Sequence, residues 1–147
     1  MSKSASIRNW LTSTKIIGMS LGLTNTYKII KKLKLNLKDS KIIHVAGSNG
    51  KGTVCALMAT TLTMMKKSNL LFSSPHLCKV EERIRINGKP CDSIIFDGAL
   101  MNIKSAANEE NIQLTFFETT FLAALIVAKQ SRVEYLILET GLGGRLD

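Results

Sequence analysis

Short apolar runs alternate with longer amphipathic segments along this chain. Residues 42–46, 70–72 and 133–138 are compact apolar runs of the kind that form strands buried on both faces of a sheet. Residues 82–86 alternate charged and apolar side chains, as in a strand, and lead into Asn87-Gly88, a strong signal for the turn of a β-hairpin. The pattern therefore predicts three core strands and one hairpin.

Helical periodicity fills the intervals between these strands. Thr24 or Asn25 is placed to cap a basic amphipathic helix, and Ser93 to cap a later one. Thr115 and Glu118 have the spacing of a capping box at the start of an apolar helix. The predicted helices cover residues 5–11, 25–34, 54–65, 93–108 and 116–129.

These elements together predict the fold class. The helix over residues 54–65 carries an apolar stripe typical of a face that packs on a core. Strands that alternate with helices predict an α/β fold with a mainly parallel sheet and flanking helices. No helix follows the last predicted strand, so we expect an incomplete domain with an apolar face or edge left uncovered. The apolar stripe of the helix over residues 54–65 consists of Leu57, Met58, Thr61, Leu62 and Met65.

The most informative segment joins the first predicted strand to the helix after it. Residues 44–53 read His-Val-Ala-Gly-Ser-Asn-Gly-Lys-Gly-Thr. In this context backbone N–H groups and the helix N-terminus converge on an anion, and glycine lets the backbone approach it closely. Lys51 adds a mobile positive charge suited to the β- and γ-phosphates of ATP, and is the predicted catalytic residue. The residues predicted to bind ATP are Gly47, Ser48, Asn49, Gly50, Lys51, Gly52 and Thr53.

This loop departs from the strict phosphate-loop pattern G-x-x-x-x-G-K-[ST]. Gly52 follows Lys51 directly, and the first hydroxyl comes only at Thr53. The hydroxyl that usually binds magnesium is displaced, so either Thr53 replaces it or the metal takes its oxygen ligands elsewhere. A glycine-rich turn that binds no ligand is the alternative interpretation.

Charge is concentrated at the front of the chain. Residues 1–38 carry eight Lys or Arg and no acidic residue, within a formal net charge of +9. Such a segment suits nucleic acid, an anionic surface or a transit peptide, but a solvated basic helix face is the simpler interpretation. Trp10 and Tyr27 are its only aromatic residues, so a base-stacking platform is not favoured and nucleic acid is not an expected partner.

Composition otherwise fits a globular domain. The 147 residues suffice for one domain with a real core, and no apolar run reaches the roughly 18 residues of a membrane helix. The N-terminus lacks a signal-peptide pattern, so a cytoplasmic location without a membrane partner is expected. Cys55, Cys78 and Cys91 are widely spaced without a CxxC motif, which argues against a disulfide framework or a structural zinc site. Buried thiols in a reducing compartment are therefore expected.

Five motifs, in order, resemble those of the dihydrofolate synthase/folylpolyglutamate synthase family, relatives of the Mur peptidoglycan ligases. The phosphate loop is similar to that family's H-V-x-G-T-N-G-K-G-[ST], with Ser48 in place of threonine, and the glycine after lysine favours the folate branch over Mur ligases. Residues 20–26 lack the Asp and Arg of the family's D-L-G-L-x-R-V. The remaining matches are S-P-H-L at 74–77, E-R-I-R-I-N-G at 82–88, T-x-F-E at 115–118 and L-E-V-G-L-G-G-R-L-D at 138–147, the last with Thr140 in place of valine.

The resemblance implies a role for each motif. It implies that Ser74 and Glu139 ligate Mg²⁺ at the carboxyl edge of the sheet, where open α/β sheets bind ligands. The residues alone leave purely structural alternatives open: Ser74 begins a turn, Glu139 pairs with Arg145, and Glu118 is only a capping partner. Arg83 is interpreted as structural or solvated. The implied dihydropteroate or folate pocket contains Thr115, Phe116, Phe117, Glu118 and Leu146.

The implied protein is an ATP-dependent ligase with a fold like the Mur ligase central domain. Residues 1–147 are then the N-terminal portion of the ATP-binding domain, without the C-terminal glutamate-ligase domain. The implied reaction joins L-glutamate to dihydropteroate or to folate polyglutamates through an acyl phosphate, and we expect a monomer when complete and poor or no activity from this chain alone. The rival hypotheses are a Mur-type ligase of cell-wall peptide precursors and a non-enzymatic nucleotide- or nucleic-acid-binding module.

Overall fold

A computed structural model describes residues 3–18 and 22–141. Within them the chain forms five α-helices, five β-strands and two short 3₁₀-helices, at Thr14–Ile17 and Val80–Arg83. None of these helices combines the length and apolar character needed to cross a bilayer. In chain order the elements are α1 (Lys3–Ser13), α2 (Thr24–Lys32), β1 (Lys41–Val45), α3 (Lys51–Met64), β2 (Asn69–Phe72), β3 (Ile84–Ile86), β4 (Lys89–Pro90), α4 (Ser93–Glu109), α5 (Phe116–Ser131) and β5 (Tyr135–Glu139).

The strands form one sheet in the order β1-β5-β2-β3-β4. Strands β1, β5 and β2 run parallel, whereas β3 and β4 are antiparallel additions beyond β2. The α/β class is confirmed, and the sheet is mixed. The hairpin signal is also confirmed, since Asn87 and Gly88 both adopt positive φ between β3 and β4.

Helices cover both faces of the sheet, so the domain has three layers. Leu70, Phe72 and Leu136 point into the larger core, which α4 and α5 close, with α1 and α2 packed outside them. Leu71 and Ile137, one position along their strands, point to the other face and pack under α3. The alternation of side chains along each strand therefore fills two cores.

The prediction that β1 is buried on both faces is wrong. Its residues are mostly exposed, and Ile42 retains 54% of its surface. Among the described residues β1 pairs only with β5, so it is an edge strand. Apolar composition does not bury a strand unless neighbouring elements cover it.

The prediction for the apolar stripe of α3 is also wrong. Cys55 and Ala59 are the buried residues of this helix, and Leu62 packs beside them. Leu57 and Met65 instead retain 64% and 62% of their surface. Small side chains allow α3 to approach the sheet closely, so its larger apolar residues point outward.

Two caps and one strand boundary also differ from prediction. Leu23, with no side-chain hydrogen bond, takes the cap position of α2. Asp92 rather than Ser93 caps α4, because its Oδ1 accepts from the N–H of Ile94 at 2.8 Å. Residues 82 and 83 lie in a 3₁₀-helix ahead of β3, where the Glu82 carboxylate accepts from the backbone of the preceding turn.

Candidate functional site

The phosphate-loop segment has the geometry that its sequence predicts. It leaves β1 at Val45, and α3 begins at Lys51. Gly50 is the N-cap of α3 and has a φ of 78°. This left-handed conformation is strained for residues with a side chain but not for glycine. Residues 46–50 are all exposed, so the N-terminus of this helix is open to an anion.

The Lys51 side chain folds back across the loop. Its Nζ donates to the carbonyl of Gly47 at 2.8 Å, which closes the loop from above. No acidic side chain in the described ranges lies within ion-pair distance of this ammonium. The charge is therefore held at the helix N-terminus and is free to meet phosphate oxygens.

The predicted metal ligands meet beside this loop. Glu139 ends β5 in register with Val45, and its Oε2 accepts from the backbone N–H of Ser74 at 3.2 Å. A Cβ at position 52 would stand 3.4 Å from Glu139 Oε1, so the glycine after the lysine keeps the first turn of α3 against this carboxylate. Burial, followed by the negative charge of Glu139, raises the pKa of the Cys55 thiol to about 11.

These two residues fit a hard divalent cation. Glu139 retains only 7% of its surface, and none of the ion pairs among the described residues includes it. The hydroxyl of Ser74 takes part in no hydrogen bond within the same ranges, and both side chains offer the oxygen ligands that magnesium prefers. No group of three or more His, Cys, Asp or Glu side chains in the described chain is arranged to hold a metal. The site is thus a pair of oxygen donors that needs phosphate and water oxygens to complete it.

The predicted substrate segment begins with a complete capping box. The Thr115 Oγ1 accepts from the Glu118 N–H at 3.1 Å, and Glu118 Oε2 accepts from the Thr115 N–H at 2.8 Å. Both residues are buried, and Thr26 of α2 donates to the second carboxylate oxygen of Glu118 at 3.5 Å. The cap accounts for Glu118, while its role toward a substrate stays a prediction. Leu146 lies outside the described residues.

Phe117 links that segment to the sheet edge that carries Ser74 and Glu139, and Gly141 leaves room for its ring. A Cβ at residue 141 would stand 2.8 Å from Phe117 Cε2, and the ring is held by contacts with Phe72 and Phe121.

We expect Gly141→Ala to lower the free energy of unfolding by about 1–3 kcal/mol through overpacking. Gly98→Ala on α4, where a Cβ meets nothing within 4 Å, is the matched control and should not destabilise. Equal urea midpoints for both variants would contradict this packing.

Sequence reasoning missed a cationic cluster around Phe116. The Arg83 guanidinium carbon and Lys15 Nζ each lie 5.0 Å from the centroid of this ring, and the His76 ring lies 6.1 Å away. Arg83 Nε donates to His76 Nδ1 at 2.9 Å. Burial, then the charges of Arg83 and Lys15, lower the pKa of His76, and burial lowers that of Arg83.

Comparisons with known proteins agree with the motif resemblance, although no protein-family model matches the chain. Dihydrofolate synthase/folylpolyglutamate synthase of Buchnera aphidicola from Acyrthosiphon pisum is 41% identical over 125 residues, which is 85% of this chain and 30% of that protein. Escherichia coli FolC in complex with DHPP and ADP superimposes with a TM-score of 0.89 and 34% identity, over 100% of this chain and 36% of FolC. A bifunctional folylpolyglutamate synthase/dihydrofolate synthase with Mn, AMPPNP and L-glutamate bound superimposes with a TM-score of 0.86 and 37% identity. This match covers 96% of the present chain and 34% of that protein chain.

The match is broad for this chain and partial for its relatives. It includes nearly all of the present residues, but the chain spans about a third of the length of the proteins that it matches. The shared part contains both the phosphate loop and the edge formed by Ser74 and Glu139. On sequence and fold together, this chain belongs to the dihydrofolate synthase/folylpolyglutamate synthase family.

Proposed function

We propose that this chain is the N-terminal part of the ATP-binding domain of a ligase that joins L-glutamate to dihydropteroate or to folate polyglutamates. The observation that carries the proposal is the convergence of Lys51, Ser74 and Glu139 around one open helix N-terminus. The ligands of the related solved structures, which are ADP or AMPPNP, Mn, DHPP and L-glutamate, are those that such a reaction requires. We further propose that the complete protein acts in the cytoplasm as a monomer.

The chemistry begins with a carboxylate that an amine does not attack, because it is anionic and lacks a good leaving group. Transfer of the γ-phosphoryl group of ATP to this carboxylate gives an acyl phosphate and ADP, and the amine of glutamate then displaces phosphate to form the amide. The loop amides of residues 47–50 position the phosphates, and Lys51 offsets their developing charge. Ser74 and Glu139 would hold Mg²⁺, which screens phosphate charge when bound.

Calorimetry with the 147-residue chain tests the binding half of this proposal. We expect Mg-ATP to bind and dihydropteroate to bind in its presence. A UDP-linked cell-wall precursor should not compete with dihydropteroate, and competition would favour the Mur-type alternative. Nucleic-acid binding that weakens steeply with salt, without Mg-ATP binding, would favour the non-enzymatic alternative. The absence of both Mg-ATP and dihydropteroate binding from a folded chain would contradict the proposal.

A further inference from the structure

Arg83 is a buried cation without an acidic partner in the described part of the chain. It retains 9% of its surface, and none of the ion pairs found there includes it. Its two acidic neighbours in sequence are committed elsewhere: Glu81 pairs with Arg8 at 2.7 Å, and Glu82 accepts from the backbone amides of residues 77–79. A buried charge is costly unless it is paired, so this arrangement favours an anion that arrives with a ligand.

The position of Arg83 relates it to the proposed reaction centre. Its carbonyl accepts from the N–H of Ser73, directly before the predicted metal ligand Ser74. Its guanidinium lies over Phe116 and beside His76, so it borders the predicted substrate segment rather than the phosphate loop. Exposed Lys15 adds a second cation at the same ring.

The chemistry of the acid substrate decides which anion suits this place. The carboxylate that is phosphorylated has to lie at the phosphate loop, and a guanidinium fork bound to it would weaken its oxygen as a nucleophile. A second carboxylate on the same molecule does not react and needs only a cation beside the reaction centre. A terminal glutamyl residue carries both groups, whereas pteroate carries only the reacting one.

We infer that Arg83, assisted by Lys15, binds the non-reacting α-carboxylate of a substrate that ends in a glutamyl residue. This inference rests on the proposed function, whose substrates include both pteroates and pteroylglutamates, and it names a residue that distinguishes between them. Arg83 then distinguishes the two: it adds affinity for a glutamyl tail and contributes nothing to pteroate.

The test is calorimetric titration of the 147-residue chain with pteroate and with pteroylglutamate, both with Mg-AMPPNP present. We expect Arg83→Gln to weaken pteroylglutamate binding by roughly tenfold to a hundredfold, the range for a charge-assisted hydrogen bond, and to leave pteroate binding unchanged. Arg85→Gln is the matched control and should change neither affinity. Arg85 is exposed, and among the described residues its side chain donates only to the Glu82 carbonyl. Lys15→Gln leaves the interior intact and should show a smaller loss with the same selectivity.

The outcomes separate this inference from the function on which it rests. Equal losses of affinity for pteroate and pteroylglutamate in Arg83→Gln and Lys15→Gln, or no loss of affinity in either variant, would overturn the α-carboxylate assignment. Binding of Mg-AMPPNP by the same variants would still support the ligase proposal. Failure of the unaltered chain to bind Mg-AMPPNP and either pterin would remove both. If Arg83→Gln does not fold, the selectivity of Lys15→Gln decides: a loss confined to pteroylglutamate supports the assignment, and its absence contradicts it.

Discussion

Replacing Lys51 with alanine is expected to remove nearly all measurable Mg-ATP affinity from this chain. The ammonium is held over the phosphate loop by a single bond to the Gly47 carbonyl and is not neutralised by any described acidic side chain. A charge-assisted hydrogen bond contributes about 1.5–3 kcal/mol, and a lysine at this place can meet oxygens of two phosphates. The expected loss is therefore at least roughly a hundredfold in the dissociation constant measured by calorimetry.

The same substitution should leave the fold intact. Lys51 is half-buried, and its replacement removes one hydrogen bond to an exposed loop. The free energy of unfolding, measured by thermal denaturation, should therefore change by no more than about 1 kcal/mol. Lys89→Ala, on the exposed hairpin strand β4, is the matched control and should change neither affinity nor stability. An unchanged Mg-ATP affinity in Lys51→Ala would show that the loop does not bind phosphate.

The edge that carries the site was predictable from sequence, because its residues are fixed by strand ends. A buried run that stops at Phe72 and another that stops at Leu138 place Ser74 and Glu139 at the same edge once the strands are parallel, and β2 and β5 are paired in that register. The capping box at Thr115 was predictable for a similar reason, since it depends on local spacing alone.

Burial was less predictable, because it depends on what lies opposite a residue. Ile42 and Leu57 are as apolar as core residues, yet both are exposed, since β1 is an edge strand and α3 packs through Cys55 and Ala59. Arg83 is the converse case, because the sequence left open whether it is structural or solvated and the structure buries it. Its neighbours Glu81 and Glu82 suggest a solvated charged turn, and only the structure reveals that both acids have other partners. Pairing across the fold, rather than composition, separates a solvated arginine from a buried one.

Glu139→Gln is expected to stabilise the chain without ligand and to abolish the effect of magnesium on ATP binding. Glutamine keeps the oxygen that accepts from the Ser74 N–H but removes a nearly buried negative charge. Relief of that charge should raise the free energy of unfolding by about 1 kcal/mol, whereas loss of a carboxylate ligand removes most of the attraction for a divalent cation. The dissociation constants for ATP measured with and without magnesium should differ for the unaltered chain and be equal for the variant.

Glu134→Gln is the matched control, at the other end of β5. Its carboxylate pairs at 3.3 Å with Lys67 on the surface, so this variant should change stability by less than about 1 kcal/mol and leave the magnesium effect intact. The competing explanation for Glu139 is an ion pair with Arg145, which lies outside the described residues. That pairing predicts the opposite sign, because Glu139→Gln and Arg145→Gln would then both destabilise the chain by leaving one buried charge unpaired. Stabilisation by Glu139→Gln, together with loss of the magnesium effect, would instead assign the carboxylate to the metal.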